Sequence, residues 1–150
     1  NGITTGTSST AFSPDMTCTR AQILTFLWRA VGSPTPNISN PFADTSSSDY
    51  YYGAAIWAYE KGMVSGNLFK GDTPCTRSST VMYLWKNAGM PRVDTSSDFS
   101  DISPLDEYSD AVSWAVENNV TLGTSETTFS PDDICSRGQI VTFLNRAISE

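Results

Sequence analysis

Apolar residues recur at helical spacing in two kinds of segment along the chain. The first kind is built around Trp57 and again around Trp114, where small apolar residues lie three and four positions apart. The second kind follows each of three cysteines and carries a longer stripe of Ile, Leu, Val and Phe. Both spacings predict amphipathic α-helices, and the Pro-, Ser-, Thr- and Asn-rich segments 32–41 and 89–98 predict linkers.

Polar residues mark where these helices begin and end. Each helix of the second kind follows a Ser or Thr that is a favourable N-cap, and these residues are Thr19, Thr76 and Ser136. Segments 46–49 and 103–106 predict capped starts for the first kind, with Pro104 at the first helical position. Gly62 and Asn119 predict its left-handed C-terminal stop.

Both kinds of helix belong to one repeating unit that organises the whole chain. The same residue types recur 57 positions apart: the equivalents of Phe42, Asp44, Trp57 and Gly66 are Phe99, Asp101, Trp114 and Gly123. Cys75 and Cys135 are 60 positions apart, because the loop before the second of them is three residues longer. We therefore predict one domain over 1–150, with a partial repeat 1 at 1–40, repeat 2 at 41–97 and repeat 3 at 98–150.

Repeat 1 lacks the helix that precedes its loop in the other two repeats. Residues 2–3 align with residues 62–63, so the chain begins where the first Trp helix would have ended. A repeat core is buried by its neighbours, and we expect the apolar face beside Ile3, Ile23 and Leu27 to lack its in-chain cover. A partner helix or another chain is expected to complete repeat 1 there.

The composition narrows the classes of function. Sixteen acidic against nine basic residues give a net charge of −7, and this argues against nucleic-acid binding, which needs a basic face. No run of 18 apolar residues is present, so no membrane insertion is predicted. Histidine, the commonest general base and metal ligand, is absent. We therefore predict no enzyme activity, no cofactor and no metal site.

The three cysteines occupy equivalent positions, each directly before a Thr-Arg or Ser-Arg pair. An odd number at equivalent positions fits small buried side chains better than a disulfide framework. We predict that Cys18, Cys75 and Cys135 are buried free thiols.

The order of motifs resembles the S-layer homology domain. Phe-x-Asp, Trp-Ala, Gly-x-x-x-Gly, a Phe-x-Pro turn and a Thr-Arg-Ala segment follow one another, and the resemblance covers essentially all 150 residues. It implies an all-α fold of three helix-loop-helix repeats in a pseudo-threefold spindle. It also implies a non-catalytic, extracellular module that binds secondary cell-wall polysaccharide, often pyruvylated, and anchors its parent protein to a Gram-positive cell wall. The family's Thr-Arg-Ala-Glu motif lies at 19–22, 76–79 and 136–139, with the arginine present three times and the glutamate absent.

The arginines of these motifs are the first candidate binding residues. Arg20, Arg77 and Arg137 stand at the opening turn of a helix, where the helix dipole disfavours a cation. A guanidinium beside free helix N-terminal amides is a favourable site for a carboxylate or phosphate. The alternative is a bracing role, in which the arginines pair with Asp44 or Asp101 and tie the repeats together.

Aromatic, acidic and glycine positions complete the predicted glycan site. Trp57 and Trp114 face either a sugar ring or the core, and Asp44 and Asp101 either accept a sugar hydroxyl or cap a turn. The predicted glycan-binding residues are Arg20, Arg77, Arg137, Trp57, Trp114, Asp44, Asp101, Gly66 and Gly123. The groove of the middle copy is expected to bind most weakly. The alternative function is a protein–protein interaction module on a bacterial surface or secreted protein, which keeps the fold without glycan binding.

Overall fold

The protein is described by a computed structural model over residues 2–8, 10–94 and 96–148. These residues form five α-helices and no β-strand. The helices are α1 Arg20–Ala30, α2 Tyr52–Glu60, α3 Arg77–Asn87, α4 Ser109–Glu117 and α5 Arg137–Ile148. The all-α fold predicted from the sequence is confirmed.

Three central helices and two outer helices build the fold. The central helices α1, α3 and α5 pack against one another, and each begins with the motif arginine of its repeat. The outer helix α2 packs on α1, and α4 packs on α3, so each outer helix covers the central helix of the preceding repeat. Gly53 of α2 lies against Trp28 of α1, where an added Cβ would come within 3.1 Å of the indole. The close approach of these two helices therefore depends on glycine.

A closed ring of backbone hydrogen bonds joins the three repeats just before the central helices begin. The amide of Cys75 donates to the carbonyl of Cys18 at 2.8 Å, Cys135 donates to Cys75 at 2.9 Å, and Cys18 donates to Cys135 at 3.0 Å. Isolated antiparallel bridges lie beside these bonds, for example between Thr17 and Ser136. The ring gives the fold its pseudo-threefold axis.

All three cysteines are buried and unbonded, as predicted. Burial raises the pKa of Cys18 and of Cys75 to about 12, and it also raises the pKa of Cys135. The Thr80 hydroxyl lies 3.4 Å from the Cys75 sulfur and 3.7 Å from the Cys135 sulfur. The thiols therefore pack as small core residues around the axis.

The predicted N-caps of the central helices are confirmed. Thr19 accepts a hydrogen bond from the amide of Gln22, whose side chain accepts one from the amide of Thr19, and this completes a capping box. Ser136 and Gln139 form the same box before α5. The Thr76 side chain caps α3. Each cap satisfies amides that the first helical turn leaves without partners in the helix.

The predicted starts of the outer helices are wrong by about one turn. α2 begins at Tyr52 and α4 at Ser109, after segments 46–49 and 103–106 rather than inside them. In each segment the carboxylate of the last residue accepts a hydrogen bond from the amide of the first at 2.7 Å. This bond closes a separate turn in front of the helix, and Pro104 lies in that turn.

The C-terminal ends of the outer helices confirm the predicted left-handed stops. Gly62 has a φ of +68° and Asn119 a φ of +55°. The amides of the next residues, Met63 and Val120, donate back to helical carbonyls at 2.8 Å. These bonds satisfy carbonyls that the last helical turn leaves open.

The apolar face without an outer helix lies on α5, so the prediction that placed it beside Ile3, Ile23 and Leu27 is correct for Ile3 and wrong for the other two. Both side chains lie in the centre of the bundle, with 1% and 0% exposure. Within the described ranges, α5 has no outer helix packed along it as α2 packs on α1 and α4 packs on α3. A cavity of about 400 Å³ lies there, and its lining includes Ile3, Val141 and Ile148. The uncovered face lies on α5 because each outer helix packs on the central helix of the preceding repeat.

Candidate functional site

The motif arginines reach across the junctions between repeats. Arg77 donates from Nε to the carbonyl of Phe129 and from Nη2 to the carbonyl of Leu122, both at 2.8 Å. Its guanidinium carbon lies 4.6 Å from the centre of the Phe129 ring and 5.6 Å from that of Phe143. With 6% exposure, Arg77 is a buried brace between repeats 2 and 3.

Arg137 makes the equivalent contacts between repeats 3 and 1. It donates from Nε to the carbonyl of Phe12 at 3.1 Å and from Nη2 to the carbonyl of Thr5 at 2.9 Å. Its guanidinium lies over the rings of Phe12 and Phe26, and the side chain is 3% exposed. With two of its five donors on carbonyls, its faces on aromatic rings and almost no exposed surface, this guanidinium is not accessible to a ligand.

Arg20 completes the cycle between repeats 1 and 2 but is held less firmly. Its Nη1 donates to the carbonyl of Phe69 at 2.7 Å, and burial raises the pKa of Tyr83 against the opposing charge of Arg20 nearby. The loop 66–69 is three residues shorter than its equivalent 123–129. No second carbonyl in the described part of the chain accepts from Arg20, which is partly exposed. Arg20 is therefore the motif arginine whose donors are most open to a ligand.

The helix amides beside these arginines are not free, so this premise of the sequence prediction is wrong. The amide of Arg20 donates to the carbonyl of Thr73 and that of Ala21 to the carbonyl of Gly71, each at 2.9 Å. The corresponding amides of α3 and α5 donate to loops of repeats 3 and 1 at 2.9 to 3.0 Å. These bonds join the repeats, and a ligand at the arginines has to be bound by side chains instead.

The two candidate aspartates hold loops rather than pairing with the arginines. Asp44 accepts from the amides of Phe69 and Lys70 at 2.7 and 2.8 Å, and Asp101 accepts from the equivalent amides at 2.8 and 2.7 Å. Desolvation acts to raise the pKa of both carboxyls, but the backbone hydrogen bonds outweigh it and lower the pKa below 3.8. Within the described residues, no motif arginine forms an ion pair with a carboxylate. The arginines thus brace the repeats through carbonyl oxygens, and the predicted aspartate partners are wrong.

Both candidate tryptophans lie in the core. Trp57 is 2% exposed and Trp114 is 7% exposed, so neither ring presents a face to solvent. The Trp57 ring reaches a cavity of about 570 Å³ that Lys61 and Lys86 also line. Trp114 reaches the equivalent cavity between α4 and α5, of about 270 Å³. Of the two alternatives given by the sequence, a sugar-facing ring or a core ring, the second is therefore correct for both tryptophans.

The two candidate glycines have different roles in their loops. A Cβ at Gly123 would lie 2.4 Å from the carbonyl oxygen of Ser125 and 2.6 Å from the Phe99 ring, so the longer loop has no room for another residue type there. Gly66, in the shorter loop, has a φ of +89°, which favours glycine, although an added Cβ would have no neighbour within 4 Å.

Lys70 and Tyr83 belong to the Arg20 junction but were not predicted as site residues. Lys70 is exposed and lines a cavity of about 280 Å³ with Asp72 and Thr73, next to the start of α1. Its only sequence signal is a lysine where the other repeats have the serine of Phe-Ser-Pro-Asp. Tyr83 lies in the apolar stripe of α3, where nothing in the sequence separates it from other core residues.

Comparison with known proteins identifies the family. The S-layer homology domain model matches residues 41–80 and 98–141, which is more than half of the chain. The chain is also similar to an endoglucanase from Bacillus sp. (strain KSM-635), with 29% identity over 148 residues, 91% of this chain but only 15% of that protein. No helix in the described ranges is both long and apolar enough to span a bilayer. S-layer homology domains occur in surface or cell-wall-associated proteins and anchor them to cell-wall polymers, and this chain belongs to the S-layer homology domain family.

Proposed function

We propose that this chain is a non-catalytic, extracellular anchor that binds an anionic secondary cell-wall polysaccharide of a Gram-positive wall, including pyruvylated polymers. The observation that carries the proposal is the exposure of Arg20 and the small number of contacts that hold its guanidinium. It lies at a repeat junction, it is partly exposed, and it is held by one carbonyl where its equivalents are held by two.

The chemistry of the Arg20 junction fits a saccharide with a carboxylate. A guanidinium pairs with a carboxylate through parallel N–H donors, and the exposed ammonium of Lys70 adds a second positive charge on the facing loop. Asp72 and Thr73 offer acceptors for sugar hydroxyls beside them. Each charge-assisted hydrogen bond contributes about 1.5–3 kcal/mol.

The other predicted site residues take supporting roles in this proposal. Arg77 and Arg137 set the spacing of the remaining two junctions, and Trp57 and Trp114 line the cavities near the C-terminal ends of the helices. The proposed order of affinity differs from the sequence expectation, because the shortened loop of the middle copy leaves Arg20 open rather than weakening its groove.

Calorimetric titration of purified wall polymer into the folded chain tests the proposal. Arg20→Ala is expected to weaken binding by about tenfold, which corresponds to about 1.4 kcal/mol. Arg92→Ala is the matched control, since it removes the same charge at a 93% exposed position in the linker. Polymer stripped of its pyruvate groups should bind both proteins equally weakly. Equal binding of intact polymer by Arg20→Ala and the parent contradicts the proposed site.

A protein–protein interaction module is the second candidate function, and the apolar cavity on α5 favours it. Val141→Lys places a charge in that cavity and leaves the Arg20 junction unchanged. If the interaction module is correct, Val141→Lys abolishes retention on cell walls and Arg20→Ala does not. The reverse pattern supports polymer binding.

A further inference from the structure

We propose that the Arg92–Val93 peptide bond is a cleavage site for trypsin-like endoproteases, which accept a basic side chain in an acidic pocket. The bond lies in the linker between repeats 2 and 3, and its cleavage leaves the folded repeats assembled without a covalent link between them. The inference goes beyond the proposed polymer binding and does not depend on it.

Arg92 lies in a part of the chain between α3 and α4 that has no regular secondary structure. Its side chain is 93% exposed, and its ion pair with the equally exposed Asp94 is long, at 3.9 Å. Within the described ranges, neither the amide of Arg92 nor that of Val93 donates to a backbone carbonyl. A protease draws several residues of its substrate into an extended conformation, and exposed segments without backbone hydrogen bonds adopt it most readily. The contact that has to open is the packing of Val93 against the core.

The other eight basic residues of the chain lie in segments that hydrogen bonds hold in place. Lys61 is the C-cap of α2, and the amide of the next residue donates to a helical carbonyl at 2.9 Å. The amide of Lys70 donates to Asp44 at 2.8 Å, and the next residue is buried. The remaining six lie in the central helices, and they are Arg20, Arg29, Arg77, Lys86, Arg137 and Arg146. Arg92 is therefore the basic residue whose peptide bond is most open to a protease.

The linker between repeats 1 and 2 has the same local backbone as the linker that contains Arg92. Trp28 donates from Nε1 to the carbonyl of Pro34 at 2.8 Å, and Trp85 donates in the same way to Pro91 at 3.0 Å. The residue before each proline has a left-handed backbone, with φ of +54° in one linker and +55° in the other. The two linkers therefore leave their central helices in the same way.

The residues after these prolines differ, and the difference decides whether a trypsin-like protease can cut. One linker has Thr35 followed by Pro36, and the other has Arg92 followed by Val93. Threonine has no charge for an acidic pocket, and a proline after the scissile bond has a fixed φ and no N–H. A protease of this class can therefore distinguish the two linkers, although Thr35 and Arg92 are both exposed.

The repeats stay together after the cut because both junctions of repeat 3 are non-covalent. Hydrolysis adds water across the bond, so that Arg92 gains a carboxylate and Val93 a free amino group. Arg77 and Arg137 each donate to two carbonyls across the cut, and two of the three backbone bonds of the cysteine ring also cross it. The Arg20 junction lies wholly within the first product. Assembly has become bimolecular, so the stability of the cleaved domain depends on its concentration.

Limited digestion of the folded chain with trypsin, followed by intact-mass measurement, tests the proposal. The first cut is expected to give residues 1–92 and 93–150, which elute together in size-exclusion chromatography and separate in urea. Arg92→Ala should slow the first cut at least about tenfold, because every other site requires a helix or turn to open. The variant with both Thr35→Arg and Pro36→Val should be cut in both linkers. Thr35→Arg alone keeps the proline and should be cut only at Arg92.

Thermal unfolding of the purified cleaved domain tests its assembly. The midpoint temperature should fall when the cleaved domain is diluted about a hundredfold, whereas that of the uncut chain should not. A first cut after Lys61 or Lys70, or an Arg92→Ala protein that is cut as fast as the parent, overturns the cleavage site. Fragments that separate in native buffer, or a midpoint that does not change on dilution, overturn the non-covalent assembly of the repeats.

Discussion

The Nε atom of Arg77 donates to the carbonyl oxygen of Phe129 at 2.8 Å, and the same guanidinium lies over the Phe129 ring. One residue of repeat 3 thus receives both the hydrogen bond and the cation–π contact of an arginine in repeat 2. The residue that was predicted to bind a ligand is, at this junction, part of the structure that holds the repeats together.

The arginines should therefore differ in their contribution to stability. Arg77→Ala removes two charge-assisted hydrogen bonds and leaves two carbonyls without partners, so we expect a loss of about 3–5 kcal/mol in the free energy of unfolding. Arg20→Ala should cost about 1–2 kcal/mol, because it removes one such carbonyl contact. Urea denaturation measures both values, with Arg92→Ala as the surface control. Equal losses for Arg20→Ala and Arg77→Ala would contradict the distinction between brace and open site.

Asp44 and Asp101 should make the fold sensitive to acid. Their folded-state pKa values lie below 3.8, so the stability they contribute is fully present above the unfolded pKa and is lost as the pH falls through the folded pKa. Unfolding free energy measured between about pH 5 and 2 should fall more steeply for the parent than for Asp44→Asn and Asp101→Asn. Parallel curves for parent and variants would show that these carboxylates are not the acid-sensitive groups.

The three thiols should be inert in the folded protein. With a pKa of about 12, Cys18 and Cys75 are ionised to only about one part in ten thousand at pH 8. A thiol reagent is expected to label none of the cysteines before unfolding and three afterwards. A count of one after unfolding means a disulfide, and rapid labelling before unfolding means that the axis is accessible.

Truncation of Trp57 should lower the free energy of unfolding rather than act directly on polymer binding. Truncation of this 2% exposed ring to Ala leaves a large cavity, and we expect a loss of about 3–5 kcal/mol in unfolding free energy. Denaturation and polymer titration on the same sample separate the two effects. A folded Trp57→Ala protein with parental stability and lost polymer binding would restore the predicted sugar-stacking role.

The length of the loop 66–69 should control the Arg20 junction. Replacing it with residues 123–129 adds three residues and is expected to bring the carbonyl of Ser65, the counterpart of Leu122 and Thr5, to Arg20 as a second acceptor. The graft should raise stability by about 1 kcal/mol and weaken polymer binding by about tenfold. Unchanged polymer affinity in the more stable graft would argue that loop length does not regulate access to Arg20.

Local features of the fold were predictable from the sequence, and features set by packing were not. The N-caps at Thr19 and Ser136 follow from three-residue spacing, and the stops at Gly62 and Asn119 follow from backbone preference alone. The segment 46–49 has the composition of a helix cap, but its carboxylate bonds to the first amide of the segment and closes a turn. Composition does not distinguish these two arrangements.

The partners of the arginines could not be predicted for a different reason. They lie 45 to 132 positions away in the chain, and they are carbonyl groups, which every residue type has. The uncovered face was misplaced for a related reason. The repeat alignment identifies which helix lacks a counterpart, but only the packing shows that an outer helix covers the preceding repeat and therefore that α5 is left open.

The closure of the ring determines how the domain responds to disruption. In an open solenoid a terminal repeat can fray alone, because it contacts one neighbour. Here Arg137 bonds to residues 125 and 132 positions earlier, so repeat 3 cannot detach without breaking repeat 1 as well. Such distant contacts raise the contact order and slow folding. Under a pulling force along the chain, the same contacts require all three junctions to break together. We therefore expect the domain to unfold as one mechanical unit and not one repeat at a time.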